Sequence, residues 1–395
     1  MSGQVARSAP ERGGRKPRAV FLVAWDWYFW CHRMPIALAA KAAGYDVTVV
    51  TPEGPYVEKI TAAGLRHVPV RMVRQGRNPA QDVQTAQNLI AIYRRLRPDV
   101  VHHVAIKPMI YGTLAAKVTG VPAVVNAMAG MGYVFLNPAP LSRAIRPMVK
   151  TAYKLLLAAE NTRTILQNED DIARWVSWGV MRRDRVVMIR GSGVDTEKFA
   201  PAPEPEGPPV VVLPARLLRD KGVGELVSAA RTLRKKGIAA RFALVGEPDL
   251  GNPASVKPDE LEAWVREGVI EHFGWRDDMD RVHRESHVTC LPSYGEGLPK
   301  ALLEAAASGR PIVATDVPGC REIAHHEKNA LLVPARDAGA LTEALERMLT
   351  DRDLRARLGA AGRKLALDEF SQEHVADATL DLYRTLLERA PRWND

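Results

Sequence analysis

Short apolar runs alternate along this chain with longer stretches in which alanine and leucine recur at helical spacing. The alternation predicts a parallel sheet with helices on both faces. In the first half, strands are expected at Ala19–Ala24, Asp46–Val50, Asp99–Val104, Pro122–Met128, Thr164–Gln167 and Arg185–Ile189. Helices are expected at Pro35–Ala43, Gln81–Leu96, Ile110–Thr119 and Arg143–Ala159. The pattern breaks at Ala200–Pro209, APAPEPEGPP, where five prolines block helix and strand pairing and mark a linker. It restarts with strands at Val210–Leu213, Phe242–Val245, Gly268–Phe273, Val288–Leu291 and Pro311–Thr315. Helices follow at Val223–Lys236, Pro299–Ser308 and Ala338–Leu349, and a long amphipathic helix, Gln372–Arg389, closes the chain.

The expected organisation is a disordered basic tail at 1–17 and a first domain at 18–199. The linker at 200–209 leads to a second domain at 210–370, and the terminal segment 371–395 crosses back to the first. Two open α/β domains form a cleft, and ligands of such sheets sit at the carboxyl ends of the strands. The 395 residues suit two cores. A net charge of +9 suits an anionic partner without choosing among nucleic acid, membrane and phosphorylated substrates. The positive charges are dispersed and no basic-aromatic module is visible, which argues against nucleic acid. Cys31, Cys290 and Cys320 have neither disulfide nor zinc-ligand spacing, which points to a reducing, cytoplasmic setting. No uncharged apolar run approaches the roughly 20 residues that span a bilayer.

The strongest local signal is PSYGEGLPKALLEAAASGR, Pro292–Arg310. An apolar strand runs into a glycine-rich loop, and Pro299 suits the first turn of the helix that follows. Gly309 suits its exit. Free amide groups and a positive dipole end form an anion site suited to a diphosphate. Glu296 and Glu304 would repel phosphate, so they are expected to accept hydrogen bonds from sugar and ribose hydroxyls; the alternative is favourable acids near a helix start. Arg216 and Lys221, in PARLLRDKGV after the strand at Val210, are two cations able to stabilise a leaving diphosphate, or else solvated surface charges.

The Arg216…Lys221 pair, the E-x7-E of Glu296 and Glu304, TDVPGCREI at Thr315–Ile323 and FGWRDDM at Phe273–Met279 together resemble family 4 of the retaining glycosyltransferases. The resemblance runs from about residue 18 to 389. It implies the α/β GT-B fold, two Rossmann-like doubly wound parallel-sheet domains facing across a cleft. It also implies that Arg216 and Lys221 bind the donor diphosphate, that Glu296 contacts the transferred sugar and that Glu304 binds the ribose. The backbone at Trp275 and Arg276 would flank the base, and Gly297, Leu298 and Lys300 would offer amide groups that Pro299 cannot. EGLPK departs here from the commoner EGFG of the wider family.

Three segments of the first half, WDWYFWCHRMPIALAAKAAGYDV, VHHVAIKPMIYG and NAMAGMGYVF, resemble a bacterial subgroup that glycosylates polyprenyl-diphosphate carriers, in several members from a UDP donor. The resemblance implies that His102 or His103 faces the reacting sugar, with His102 placed among the catalytic set of Glu296, Lys221 and Arg216. His32, Arg33, His103, Lys107, Gly130 and Gly132 are the expected acceptor contacts, with Arg33 and Lys107 suited to an acceptor phosphate. Core or surface positions are the plain alternative for each histidine. Leu141–Glu160 is basic and amphipathic, a docking surface for an anionic leaflet or an ordinary surface helix.

The implied reaction moves a hexose or N-acetylhexosamine from a UDP-sugar to a lipid-linked or other sugar acceptor, with the departing phosphate oxygen taking the acceptor proton. No Asp-x-Asp motif stands at a strand end, so neither metal nor other cofactor is expected. A UDP-sugar 2-epimerase of the same architecture and a non-catalytic sugar-nucleotide-binding subunit are the alternatives.

Overall fold

The computed structural model describes residues 8–11, 14–72, 79–128, 135 and 140–390. The chain forms two compact units, one comprising residues up to Ser192 together with Glu373 onward, the other Gly193–Gln372.

The first unit holds a seven-stranded sheet of β1 (Arg18–Val23), β2 (Asp46–Thr51), β3 (Arg66–Pro69), β4 (Val100–Val104), β5 (Ala123–Ala127), β6 (Thr162–Leu166) and β7 (Val186–Met188), in the order β3-β2-β1-β4-β5-β6-β7. Every pairing is parallel. Successive residues of β1 fill opposite faces: Ala19, Phe21 and Val23 enter one core, Val20 and Leu22 another. Burial on both faces is why these strands read as unbroken apolar runs. The terminal helix Gln372–Arg389 packs Val375, Leu380, Tyr383 and Leu386 into the core that contains Phe21.

The second unit holds a six-stranded parallel sheet of β8 (Val210–Pro214), β9 (Arg241–Val245), β10 (Glu271–His272), β11 (Val288–Leu291), β12 (Ile312–Thr315) and β13 (Ala330–Val333), ordered β10-β9-β8-β11-β12-β13. Both units are thus doubly wound α/β layers.

Several expectations need correction. Residues 14–17 are not part of a disordered tail, because the Arg15 guanidinium makes a bidentate bond to the buried Asp99 at 2.6 and 3.1 Å. The segment 193–199 belongs to the second unit: the Val194 amide donates to Phe370 O, and Phe199 packs in the core with Leu302. Nor is Ala200–Pro209 a loose linker. Proline lacks an N–H but keeps a carbonyl, and these carbonyls are used. Arg310 donates to Pro203 O at 3.0 Å, His287 Nε2 lies 3.1 Å from Pro205 O, and Glu204 takes Arg355 at 2.7 Å. The aromatic stretch after β1 forms the helix Asp26–His32, before the expected start of helix at Pro35.

Candidate active site

In an open doubly wound sheet the crevice lies where strand order reverses, outside the carboxyl ends of the two strands that diverge. In the second unit those strands are β8 and β11, neighbours from which the chain winds outward in opposite directions. The loop after β8 carries Arg216 and ends in the turn Arg219–Lys221; the loop after β11 carries Gly295–Pro299 and enters the helix Lys300–Ala307. The two loops are tied together by backbone. The Tyr294 amide donates to Asp220 O at 2.8 Å and Ser293 Oγ to the same oxygen at 3.2 Å. Gly222 adopts φ +73°, and a Cβ there would stand 2.1 Å from Pro292 O. From the other side, Gly319 (φ +81°) lets the loop after β12 press on the backbone of Glu296 and Gly297, where a Cβ would sit 2.4 Å from Gly297 O.

This backbone brings Lys221 Nζ to 2.5 Å from Glu296 Oε1, with both side chains largely buried. Arg216, more than half exposed, donates to Asp249 Oδ2 at 2.8 Å. Both cations therefore rest against carboxylates in the free protein. Glu304 is buried in the helix, with Oε1 3.5 Å from Lys300 Nζ and Oε2 3.9 Å from His283 Nε2. Burial alone would raise its carboxyl, but the His283 ring and the Lys300 ammonium outweigh that and hold it below its ordinary value. Pro299 occupies the N-cap, one position before the expected first turn, and Gly309 (φ +66°) follows the cap at the exit. Leu298 packs against the core beneath the loop. The Trp275 amide donates to Glu247 Oε1 at 3.1 Å with its ring well exposed, whereas the Arg276 guanidinium is turned onto its own Asp278 at 2.6 Å. Asp249, Glu247 and His283 carry no motif signal, since their roles exist only through partners distant in sequence.

In the first unit the reversal lies between β1 and β4. His102 and His103 do not stand at a strand end but in the middle of β4, with almost no exposed surface. His103 Nδ1 lies 2.9 Å from Asn126 Oδ1 and Nε2 lies 3.0 Å from the Tyr93 hydroxyl. The pairing fits one neutral tautomer, with Nδ1–H donating and Nε2 accepting, and leaves the ring nothing to offer an acceptor. His102 Nδ1 lies 2.6 Å from Tyr383 Oη, while its Nε2 is buried without a partner. His32, half-buried, has Nδ1 3.4 Å from Ser192 Oγ and lies against the Trp27 and Tyr28 rings. Arg33 is 3 % exposed. Lys107 Nζ lies 3.3 Å from Asp82 Oδ1. Gly130 and Gly132 lie outside the described residues.

Residues 18–168 match the family described as Glycosyl transferase 4-like, and residues 194–365 match Glycosyl transferases group 1. The chain is a glycosyltransferase that joins a Glycosyl transferase 4-like domain to a Glycosyl transferases group 1 domain. It is 28% identical over 364 residues to the N,N'-diacetylbacillosaminyl-diphospho-undecaprenol alpha-1,3-N-acetylgalactosaminyltransferase of Campylobacter jejuni, covering 89% of this chain and 94% of that one. It is 26% identical to the UDP-Gal:alpha-D-GlcNAc-diphosphoundecaprenol alpha-1,3-galactosyltransferase of Escherichia coli, over 76% and 80% of the two chains. The solved structure of Anabaena Alr3699/HepE in complex with UDP superposes with a TM-score of 0.77 at 15% identity, over 94% and 100%. That likeness shows the fold, the GT-B arrangement of two parallel-sheet α/β domains.

The glycosyltransferase holds its two β4 imidazoles neutral. Burial pulls His103 down to about 4, against a smaller upward push from Asn126, and burial lowers His102 as well, helped by the Arg33 charge. An unfolded imidazole titrates near 6.5. Between the two values the unfolded chain binds more protons, so stability rises with pH across this window and is lost on acidification. For His103 alone the loss approaches about 3 kcal/mol by pH 4. Thermal melts of the His103→Leu glycosyltransferase should show a lower Tm at neutral pH but a shallower fall from pH 7 to 4.5.

Proposed function

We propose that this glycosyltransferase moves a hexose or N-acetylhexosamine from a UDP-sugar to a polyprenyl-diphosphate-linked sugar, with retention of anomeric configuration. The observation that carries the donor side is the Lys221–Glu296 pair at the reversal between β8 and β11. A bound diphosphate takes over Lys221 and draws Arg216 from Asp249, while the amide end of the helix Lys300–Ala307 faces the same charge. Release of Lys221 frees Glu296 to accept from hydroxyls of the transferred sugar, and Glu304 accepts from the ribose. The backbone at Trp275 and Arg276 flanks the base. As the glycosidic bond lengthens, negative charge grows on the departing phosphate oxygen, which Lys221 and Arg216 stabilise and which takes the acceptor proton. These two cations do the work a divalent ion would otherwise do. The acceptor reading is supported by the relatives whose names specify diphospho-undecaprenol sugars. Of the expected acceptor contacts, His103 is withdrawn because both its nitrogens are engaged.

The test is a panel of UDP-sugars incubated with a polyprenyl-diphosphate-linked sugar, with and without EDTA, following UDP and product stereochemistry. Acceptor-dependent UDP release with a retained linkage and no EDTA effect is expected. UDP release without acceptor, or an inverted product, rejects the reading.

A lipid-linked acceptor calls for contact with a membrane surface, and among the described residues no helix is long and apolar enough to cross one. The helix Pro140–Leu157 contains no acid; it exposes Met148, Lys154 and Leu155, and Lys150 stands 3.8 Å over the ring of Trp178. Apolar side chains among cations suit the surface of an anionic leaflet. Flotation with vesicles containing anionic lipid should recover the wild type, and Met148→Glu with Leu155→Glu should lower the bound fraction at least tenfold.

A further inference from the structure

Arg33 is a buried cation with no counter-ion among the described residues. Arg33 ends the helix that follows β1, and its charge acts on His102 of β4, the strand that diverges from β1 at the reversal. Among the described residues no carboxylate pairs with it, and its Nε is buried without a hydrogen-bond partner. Its recorded neighbours are uncharged or neutral: the Tyr28 hydroxyl, the Tyr383 hydroxyl and the His102 ring. The second orphan belongs to the same cluster. His102 Nε2 is buried and unpartnered, while Nδ1 is taken by Tyr383. With the Tyr383 hydroxyl donating to Nδ1, the neutral ring carries its hydrogen on Nε2, so both orphans are donors. Residue 33 also caps the helix Met34–Ala42, whose positive dipole end adds to the field.

A guanidinium taken out of water without an anion is a standing cost to the fold, and among the described residues no carboxylate offsets it. The helix that precedes Arg33 is aromatic, with the Trp25 and Trp27 ring centroids 4.6 Å apart and those of Tyr28 and His32 4.3 Å apart. The acid of this stretch, Asp26, is engaged elsewhere, accepting from the Tyr56 amide at 2.7 Å.

We propose that Arg33 and His102 form an anion site that takes a phosphoryl group of the acceptor's diphosphate, with Arg33 as the charge and His102 Nε2–H as a second donor. This rests on the acceptor reading above and goes beyond it by naming the group recognised and the pair that recognises it. His102 then serves to bind the acceptor and not to face the transferred sugar.

Three readouts test it. First, removing an uncompensated buried charge should stabilise the empty protein, so Arg33→Met should melt several degrees higher, about 4 °C, than wild type; a merely structural arginine would give a lower Tm. Second, with the donor site saturated by UDP, inorganic pyrophosphate should raise the Tm of wild type but not of Arg33→Met, with Arg33→Lys intermediate. Glucuronate at the same concentration, a carboxylate probe, should shift none of them. Third, the ratio of kcat/KM for a farnesyl-diphosphate-linked sugar to that for the neutral octyl glycoside of the same sugar should fall about a hundredfold in Arg33→Met. A lowered Tm with the pyrophosphate shift intact, or an unchanged ratio, overturns the proposal. A shift with glucuronate as large as with pyrophosphate overturns the phosphoryl assignment. If wild type glycosylates neither acceptor while the pyrophosphate shift still depends on Arg33, the acceptor reading fails and the anion site stands.

Discussion

Lys221→Ala is expected to lower kcat about a thousandfold, the upper range for removing one preorganised donor from a developing oxyanion. The expectation follows from where Lys221 stands. It ends a turn pinned by the Tyr294 amide and Ser293 hydroxyl, and its ammonium is mostly shielded from water, where a charge acts more strongly than on the surface. Glu296→Ala should cost a similar factor. In each variant one partner of a shielded pair loses its counter-charge, so a fall in stability of about 1–3 kcal/mol accompanies the loss. The double variant separates the effects. If the two residues act as a unit on one bound donor, its kcat should lie within tenfold of either single variant, far from the product of the two losses, and its Tm should recover toward wild type. Transfer within threefold of wild type in either single variant would remove the pair from the reaction. Calorimetric titration of UDP should show Lys221→Ala binding more weakly, whereas Glu296→Ala, which relieves a carboxylate near the phosphates, should bind UDP at least as well as wild type.

Gly222→Ala should be among the most damaging single-methyl changes in the second unit. Its positive φ costs roughly 1 kcal/mol for any side chain. Its Cβ would also stand 2.1 Å from Pro292 O, a backbone atom of the opposite loop that cannot turn away. A total of about 3 kcal/mol is expected, with activity falling further because the Lys221 and Glu296 loops are pushed apart. Gly120→Ala is the control. It has a similar φ of +75° with nothing within 4 Å, so it should cost only the conformational part. Equal melting temperatures for the two variants would contradict this account of the loop contact.

Most strands were legible because parallel strands covered on both faces leave unbroken apolar runs, and Val288–Leu291 appears as read. The edge strand β3 was not: it buries only Val68 fully, and Arg66, His67 and Pro69 do not read as a strand. The helix Arg352–Glu369, with its charges and two glycines, hid for a different reason. Gly359 and Gly362 are there so that it can lie directly on the backbone at Gly309 and Ala306. Lys221, Glu296 and Glu304 were visible as candidates because chain-local motifs hold them. Asp249 and His283 were not, because each acts through a residue more than twenty positions away. The histidines of β4 were misplaced for a related reason: a polar residue in an apolar run signals either function or a satisfied core, and only the Tyr93 and Asn126 partners decide for His103.

The strapping of Ala200–Pro209 by Arg310, His287 and Arg355 bears on how the donor half can be produced by itself. A fragment begun at Val210, where the sheet starts, would strip three basic side chains of the carbonyls and carboxylate they hold. One spanning Gly193–Gln372 keeps them, together with the bridge between Val194 and Ser371 that fastens its two ends. The shorter excision should come out of the cell aggregated and the longer one dissolved.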